Sequence, residues 1–135
     1  MDKVDKKRIT LLSIICVLLF FMSGFREDHY LGRGFIYFEK PGQLFYQKRG
    51  DTLRFNIPPD VLSYKNTLNA ILVKQRPFQY PYRGDTPYVY PYGRDTVYFF
   101  FIDKKTKQVT GPLLFSDMQS FLKQKNLEYL MDSLE

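Results

Sequence analysis

An unbroken apolar run, Ile9 to Phe25 (ITLLSIICVLLFFMSGF), constrains this chain more than any other feature. Left in water it is costly, so a protein core, a bilayer or a translocation channel must receive it. As a helix its seventeen residues measure roughly 26 Å, a little under a hydrocarbon core of about 30 Å. Ile9, Leu11, Leu12, Ile14, Ile15, Cys16, Val17, Leu18, Leu19, Phe20, Phe21 and Met22 form the expected span. Lys3, Lys6, Lys7 and Arg8 precede the run, and only Arg26 follows closely. That bias keeps the N-terminus in the cytoplasm and carries everything after the run across the membrane.

A secretory signal peptide has the same plan of basic flank, apolar stretch and small residues. A cut after Ser23 would leave Phe21 at the third-last position, and a cut after Gly24 would leave Met22 there. Both are bulky where signal peptidase needs a small residue. An uncleaved signal-anchor over residues 1–25 is therefore the first expectation, with secretion after cleavage as the alternative. Cys16 is the only cysteine, which removes intrachain disulfides and thiol chemistry from the rest of the chain. Inside the run it serves as an apolar residue, and its mid-span position does not suit palmitoylation.

Residues 26–135 are long enough for one modest domain. Aromatic residues make up 18% of the chain, with 13 Phe and 11 Tyr, which argues for a packed core and against disorder. Beyond the basic tail, 16 basic and 12 acidic residues are scattered without a cationic stripe, which disfavours a nucleic-acid footprint. The pattern predicts strands first and helix last, an α+β fold with an antiparallel sheet and one or two C-terminal helices packed on one face. Leu31 to Phe38 is expected as one strand opened by glycines, and Leu44–Lys48 and Leu53–Ile57 as short strands around the turn Arg49-Gly50-Asp51-Thr52. Pro58 and Pro59 break the chain before an apolar run at Asn69–Val73. Val97 to Ile102 is continuously apolar rather than alternating, so it should be central and covered on both faces. Ser116 and Gln119 have the spacing of a helix capping box, with Asp117 in the first turn, Lys123 and Lys125 in the last, and Asn126 as the C-terminal cap. Leu127, Leu130, Met131 and Leu134 continue at helical spacing.

The stretch Phe78–Tyr98 holds the most distinctive chemistry. Pro81-Tyr-Arg-Gly-Asp-Thr-Pro-Tyr88 recurs ten residues on as Pro91-Tyr-Gly-Arg-Asp-Thr-Val-Tyr98. Gly and Asp favour turns for backbone reasons, so both copies, like Arg49-Gly-Asp-Thr52, are expected to launch strands rather than to present an adhesion tripeptide. Tyr and Arg are enriched at binding hot spots. Tyr80, Tyr82, Arg83, Tyr88, Tyr90, Tyr92 and Arg94 are accordingly the candidate binding surface, with packing of the sheet by these rings as the plainer alternative. Alternation in Tyr88-Val89-Tyr90 places the two rings on one side of an extended segment.

Catalytic types are sparse. His29, the one histidine, lies just beyond the apolar run, and no P-loop, dinucleotide fingerprint or metal-ligand spacing is present in the sequence. Asp51, Asp85, Asp95 and Asp103 supply carboxylates, which keeps a small secreted or periplasmic hydrolase as the alternative function. Gly32-Arg-Gly-Phe-Ile-Tyr-Phe38 is a faint match to the aromatic strand of OB-type single-strand binders. No catalytic residue, cofactor or metal is expected.

Ile102, Asp103, Lys104, Gly111, Pro112, Leu113 and Asp117, with Phe121 in the following helix, make an ending similar to that of small uncharacterised bacterial domains found behind signal peptides or anchors. The resemblance covers about a quarter of the chain. It implies a bacterial protein with an extracytoplasmic domain, and no activity or site residue. A membrane-anchored or exported interaction module is thus the leading expectation, an envelope accessory or immunity-type protein. Its expected partners are the membrane, through the N-terminal segment, and another protein, with no nucleic acid.

Overall fold

The computed structural model describes residues 9–18, 28–51, 55–81 and 88–134. Residues 9–18 form a helix, α1, whose Ser13 Oγ donates to the Ile9 carbonyl at 2.9 Å and so meets its own polar need within the helix. Its side chains are exposed, Cys16 included. Among the described residues no helix is long and apolar enough to cross a membrane. Leu19, Phe20, Phe21 and Met22 of the expected span lie outside the described residues, as does its end at Phe25.

Among the described residues eight antiparallel strands follow: β1 (Asp28–Gly32), β2 (Phe35–Phe38), β3 (Gln43–Tyr46), β4 (Phe55–Ile57), β5 (Val61–Asn66), β6 (Ala70–Gln75), β7 (Tyr98–Asp103) and β8 (Val109–Leu113). Helix α2 (Phe115–Gln124) and a 3-10 helix (Glu128–Ser133) close the chain. The strands make two four-stranded meanders, β1-β2-β3-β4 and β5-β6-β7-β8. The α+β class holds, but the expected sheet is two sheets. Pro58 and Pro59 mark the corner between them, where the Val61 N–H donates to the Gly42 carbonyl and Asp60 exchanges backbone bonds with Arg76. β5 was not expected as a strand. Ser63, Lys65 and Asn66 interrupt its apolar character, which its position at the sheet edge tolerates.

Alternation along β6 and β7 explains the layering. Ile71, Val73, Tyr98, Phe100 and Ile102 face the first sheet and meet Leu31, Phe35, Leu44, Tyr46 and Ile57. Ala70, Leu72, Phe99 and Phe101 face the other way and carry Met118 and Leu122 of α2 together with Leu130, Met131 and Leu134. The second sheet is therefore sandwiched between the first sheet and the helical layer. This is why Tyr98–Ile102 is apolar at every position, and why β7 is central and covered on both faces.

Two local expectations are corrected. Leu31–Phe38 is a hairpin rather than one strand, because Arg33 and Gly34 both adopt positive φ (52° and 91°), as a tight two-residue turn requires. Ser116 does not cap α2. The N-cap is Leu114, with no side-chain cap bond, and the Ser116 carbonyl instead accepts the Ser120 hydroxyl at 3.0 Å. The helix starts two residues early because Phe115 sets its ring against Phe99. Gly111-Pro112 lies inside β8, whose edge position accommodates a residue without an N–H. At Gly111, with φ 133°, a Cβ would lie 2.6 Å from the Phe99 carbonyl oxygen, so only glycine lets β8 approach β7 there.

Candidate functional site

β6 and β7 are direct neighbours, with Gln75 opposite Tyr98. A two-residue turn would join them, yet the connection runs from 76 to 97. A long connection inside a compact domain is the usual setting for a binding element on a rigid scaffold. This is the Tyr- and Pro-rich stretch of the sequence, and its described part is residues 76–81 and 88–97.

Buried groups pin it from beneath. Gln75 is fully buried, and its Nε2 donates to the Pro58 carbonyl at 2.7 Å and to the Tyr90 hydroxyl at 3.1 Å. The Tyr90 hydroxyl donates in turn to Gln75 Oε1 at 3.2 Å. Tyr98, also fully buried, accepts the Tyr92 N–H at 2.9 Å and donates its hydroxyl to the Gly93 carbonyl at 2.8 Å. Tyr88 stands edge-on to Phe100 with centroids 5.0 Å apart, and burial pushes its hydroxyl up to about 12, with a smaller contribution from Tyr90. Arg94 joins the two halves of the connection. Its guanidinium lies 5.1 Å from the Tyr90 ring centroid, and Nη1 donates to the Phe78 carbonyl at 2.9 Å.

The candidate surface therefore divides. Tyr88 and Tyr90 do share a side of the chain, as alternation requires, but that side faces the core. Their rings cap the Tyr98–Phe100 end of it and leave Val89 between them 77% exposed. Arg94 is half-buried and committed to Tyr90 and Phe78. Tyr80 and Tyr92 remain outward, at 77% and 63% exposure. Tyr82 and Arg83 lie outside the described residues, together with the first Arg-Gly-Asp-Thr of the repeat. Sequence reasoning missed Val89 and Phe78 as members of the outer surface. Once the Tyr rings turn inward, the intervening residue must turn outward, and that parity was the available signal.

The carboxylates have structural duties. Asp51 Oδ2 accepts the Tyr46 hydroxyl at 2.6 Å and Lys107 Nζ at 2.7 Å. Asp103 Oδ1 accepts the Lys105 and Thr106 N–H groups, and the Thr106 bond is the main cause holding its carboxyl below the usual range. Asp95 is exposed in the turn before β7, and Asp85 lies outside the described residues. His29 is exposed, with its ring 5.9 Å from that of Tyr37. Among the described residues no three His, Cys, Asp or Glu side chains are grouped to hold a metal ion.

The opposite end of the domain is polar and basic. Lys104 is only 3% exposed, and its ammonium donates to the carbonyls of Leu31 and Thr67, tying the β1–β2 hairpin to the β5–β6 turn. Burial, with Arg33 nearby, lowers its pKa. Beside it an open cleft of about 550 Å³ lies between the β5–β6 turn and the residues after α2, lined by Leu68, Asn69, Phe101, Lys105, Lys125 and Tyr129 among others. No protein-family model, no curated protein and no solved structure matches this chain.

Proposed function

We propose that the protein is a non-enzymatic interaction module, held at a membrane by its N-terminal apolar run, that binds through the β6–β7 connection. The observation that carries this is the economy of that connection. Two strands needing a minimal turn are joined by a long segment whose inner Tyr side chains are spent on anchoring and whose outer ones, Tyr80 and Tyr92, are left in solvent. A pre-organised aromatic surface costs little entropy to bind with, since its backbone is already fixed. Anchoring is supported by the apolar run and its basic flank, and an extracytoplasmic domain by the charge asymmetry. A non-catalytic role is supported by Asp51 and Asp103, whose carboxylates already serve the fold. An envelope accessory or immunity-type protein fits these features.

Site-specific photo-crosslinking tests the proposal. A photoreactive residue at Tyr80 or Tyr92 of the full chain, in cells, is expected to give adducts. The same residue at Lys65 on β5 is expected to give none. Equal labelling at all three positions would remove the connection as the contact element.

A further inference from the structure

The strand order fixes which end of the domain the β6–β7 connection occupies. Asp28, the first residue of β1, pairs with Phe38 at the end of β2. The turn after Phe38 brings Gly42 to Val61. Val61 pairs with Gln75, and Gln75 with Tyr98. The start of β1 and the connection thus lie at the same end. The buried Lys104 and the cleft with Leu68 and Tyr129 lie at the other, up to six strand residues or about 20 Å away.

Only Arg26 and Glu27 separate the apolar run from β1. Three Cα–Cα steps reach at most about 11 Å. The headgroup layer is roughly 5–7 Å deep on each side of the hydrocarbon core. With the run spanning the bilayer, the end of the domain that carries Asp28 has no room to stand away from the lipid surface. That end also bears Phe78, Tyr80, Val89 and Tyr92 outward, and Phe115 at the start of α2, 54% exposed and in ring contact with Phe99 beside Tyr98. Tyr rings are at home at the membrane–water boundary, where an apolar body and a polar tip are both satisfied.

We infer that the partner of the β6–β7 connection is the lipid headgroup layer of the bilayer that holds the anchor, with Tyr80, Val89, Tyr92 and Phe115 seated in it. The domain then stands upright with its Lys104 end outward. This rests on the anchored reading above.

The chain contains no Trp, so one introduced Trp is a clean reporter. Full-length Tyr80→Trp, Tyr92→Trp and Tyr129→Trp chains are reconstituted into phosphatidylcholine–phosphatidylglycerol vesicles containing a headgroup spin-labelled lipid. Emission at positions 80 and 92 is expected to be quenched severalfold more than at 129. Equal quenching at the three positions, or stronger quenching at 129, overturns the inference. If the chain co-floats with vesicles while positions 80 and 92 stay unquenched, the anchor survives and lipid as the partner does not. A discrete protein adduct from position 80 or 92 in cells would then name the alternative. If the chain does not co-float, the anchored reading fails and takes this inference with it.

Discussion

Tyr88 offers the sharpest test of which way the Tyr-rich connection faces. An outward tyrosine ionises near 10, whereas burial holds Tyr88 up to about 12. A group whose pKa is higher in the folded state gives stability that is complete below the unfolded value and is lost as pH rises through the folded one. For Tyr88 the window is pH 10 to 12. Two pKa units at about 1.4 kcal/mol each place the loss at about 2–3 kcal/mol across it. Tyr37 and Tyr64 are also raised by burial, so the total alkaline loss belongs to several rings. The Tyr88→Phe chain isolates one of them, because Phe keeps the edge contact to Phe100 and cannot ionise. Urea unfolding of both chains in a mild non-ionic micelle, followed from pH 9 to 12, should show the stability of Tyr88→Phe falling less steeply, by about 2–3 kcal/mol over the window. Phenolate absorbance should show the high-pH step reduced by one ring. Parallel stability curves would mean that Tyr88 is solvated in the folded protein and that the inward packing is wrong.

Other positions carry independent expectations. Lys104→Met keeps the aliphatic stem but leaves the Leu31 and Thr67 carbonyls unpaired, so unfolding free energy should drop by about 2–3 kcal/mol, with faster hydrogen exchange in the β1–β2 hairpin as the local sign. In the parent chain, Lys104 is lowered in the folded state, so its contribution should grow as pH rises from that lowered value toward 10.5, a gain absent from Lys104→Met. Gly111→Ala places a Cβ against the backbone of Phe99 and Phe100 and should cost at least about 3 kcal/mol in urea unfolding. Ser116→Ala should shift stability by less than about 0.5 kcal/mol, because Ser116 caps nothing; a loss of 1 kcal/mol or more would restore the capping box.

The legible parts of this fold were those where chemistry is local or periodic. Tyr98–Ile102 is apolar at five consecutive positions, and only a strand covered on both faces needs that. Asn126 adopts φ 56° directly after the helix, as its type and place foretold. The corner at Pro58 and Pro59 was visible as a break, but nothing local says that a break passes the chain from one sheet to another. That outcome depends on the long-range bond of Val61 to Gly42 and on the core shared by Phe35, Leu44, Phe100 and Ile102. The capping box failed for a related reason: the contact of Phe115 with Phe99 sets where the helix begins, and a four-residue motif does not include it.

The candidate site shows the same division between composition and parity. Its residue types singled out the segment, and alternation put Tyr88 and Tyr90 on one side, as the core packing has them. Composition does not say which side is inward. Tyr is large enough to close the end of a core and polar enough to need a partner there, and Gln75 and the Gly93 carbonyl supply those partners. Once those bonds use the Tyr90 and Tyr98 hydroxyls, Tyr80 and Tyr92 are the tyrosines left exposed, and the proposed recognition rests on them. Among the described residues the rings inside and outside are of one residue type, and the bonds and packing of the inner ones fix the backbone that carries the outer ones.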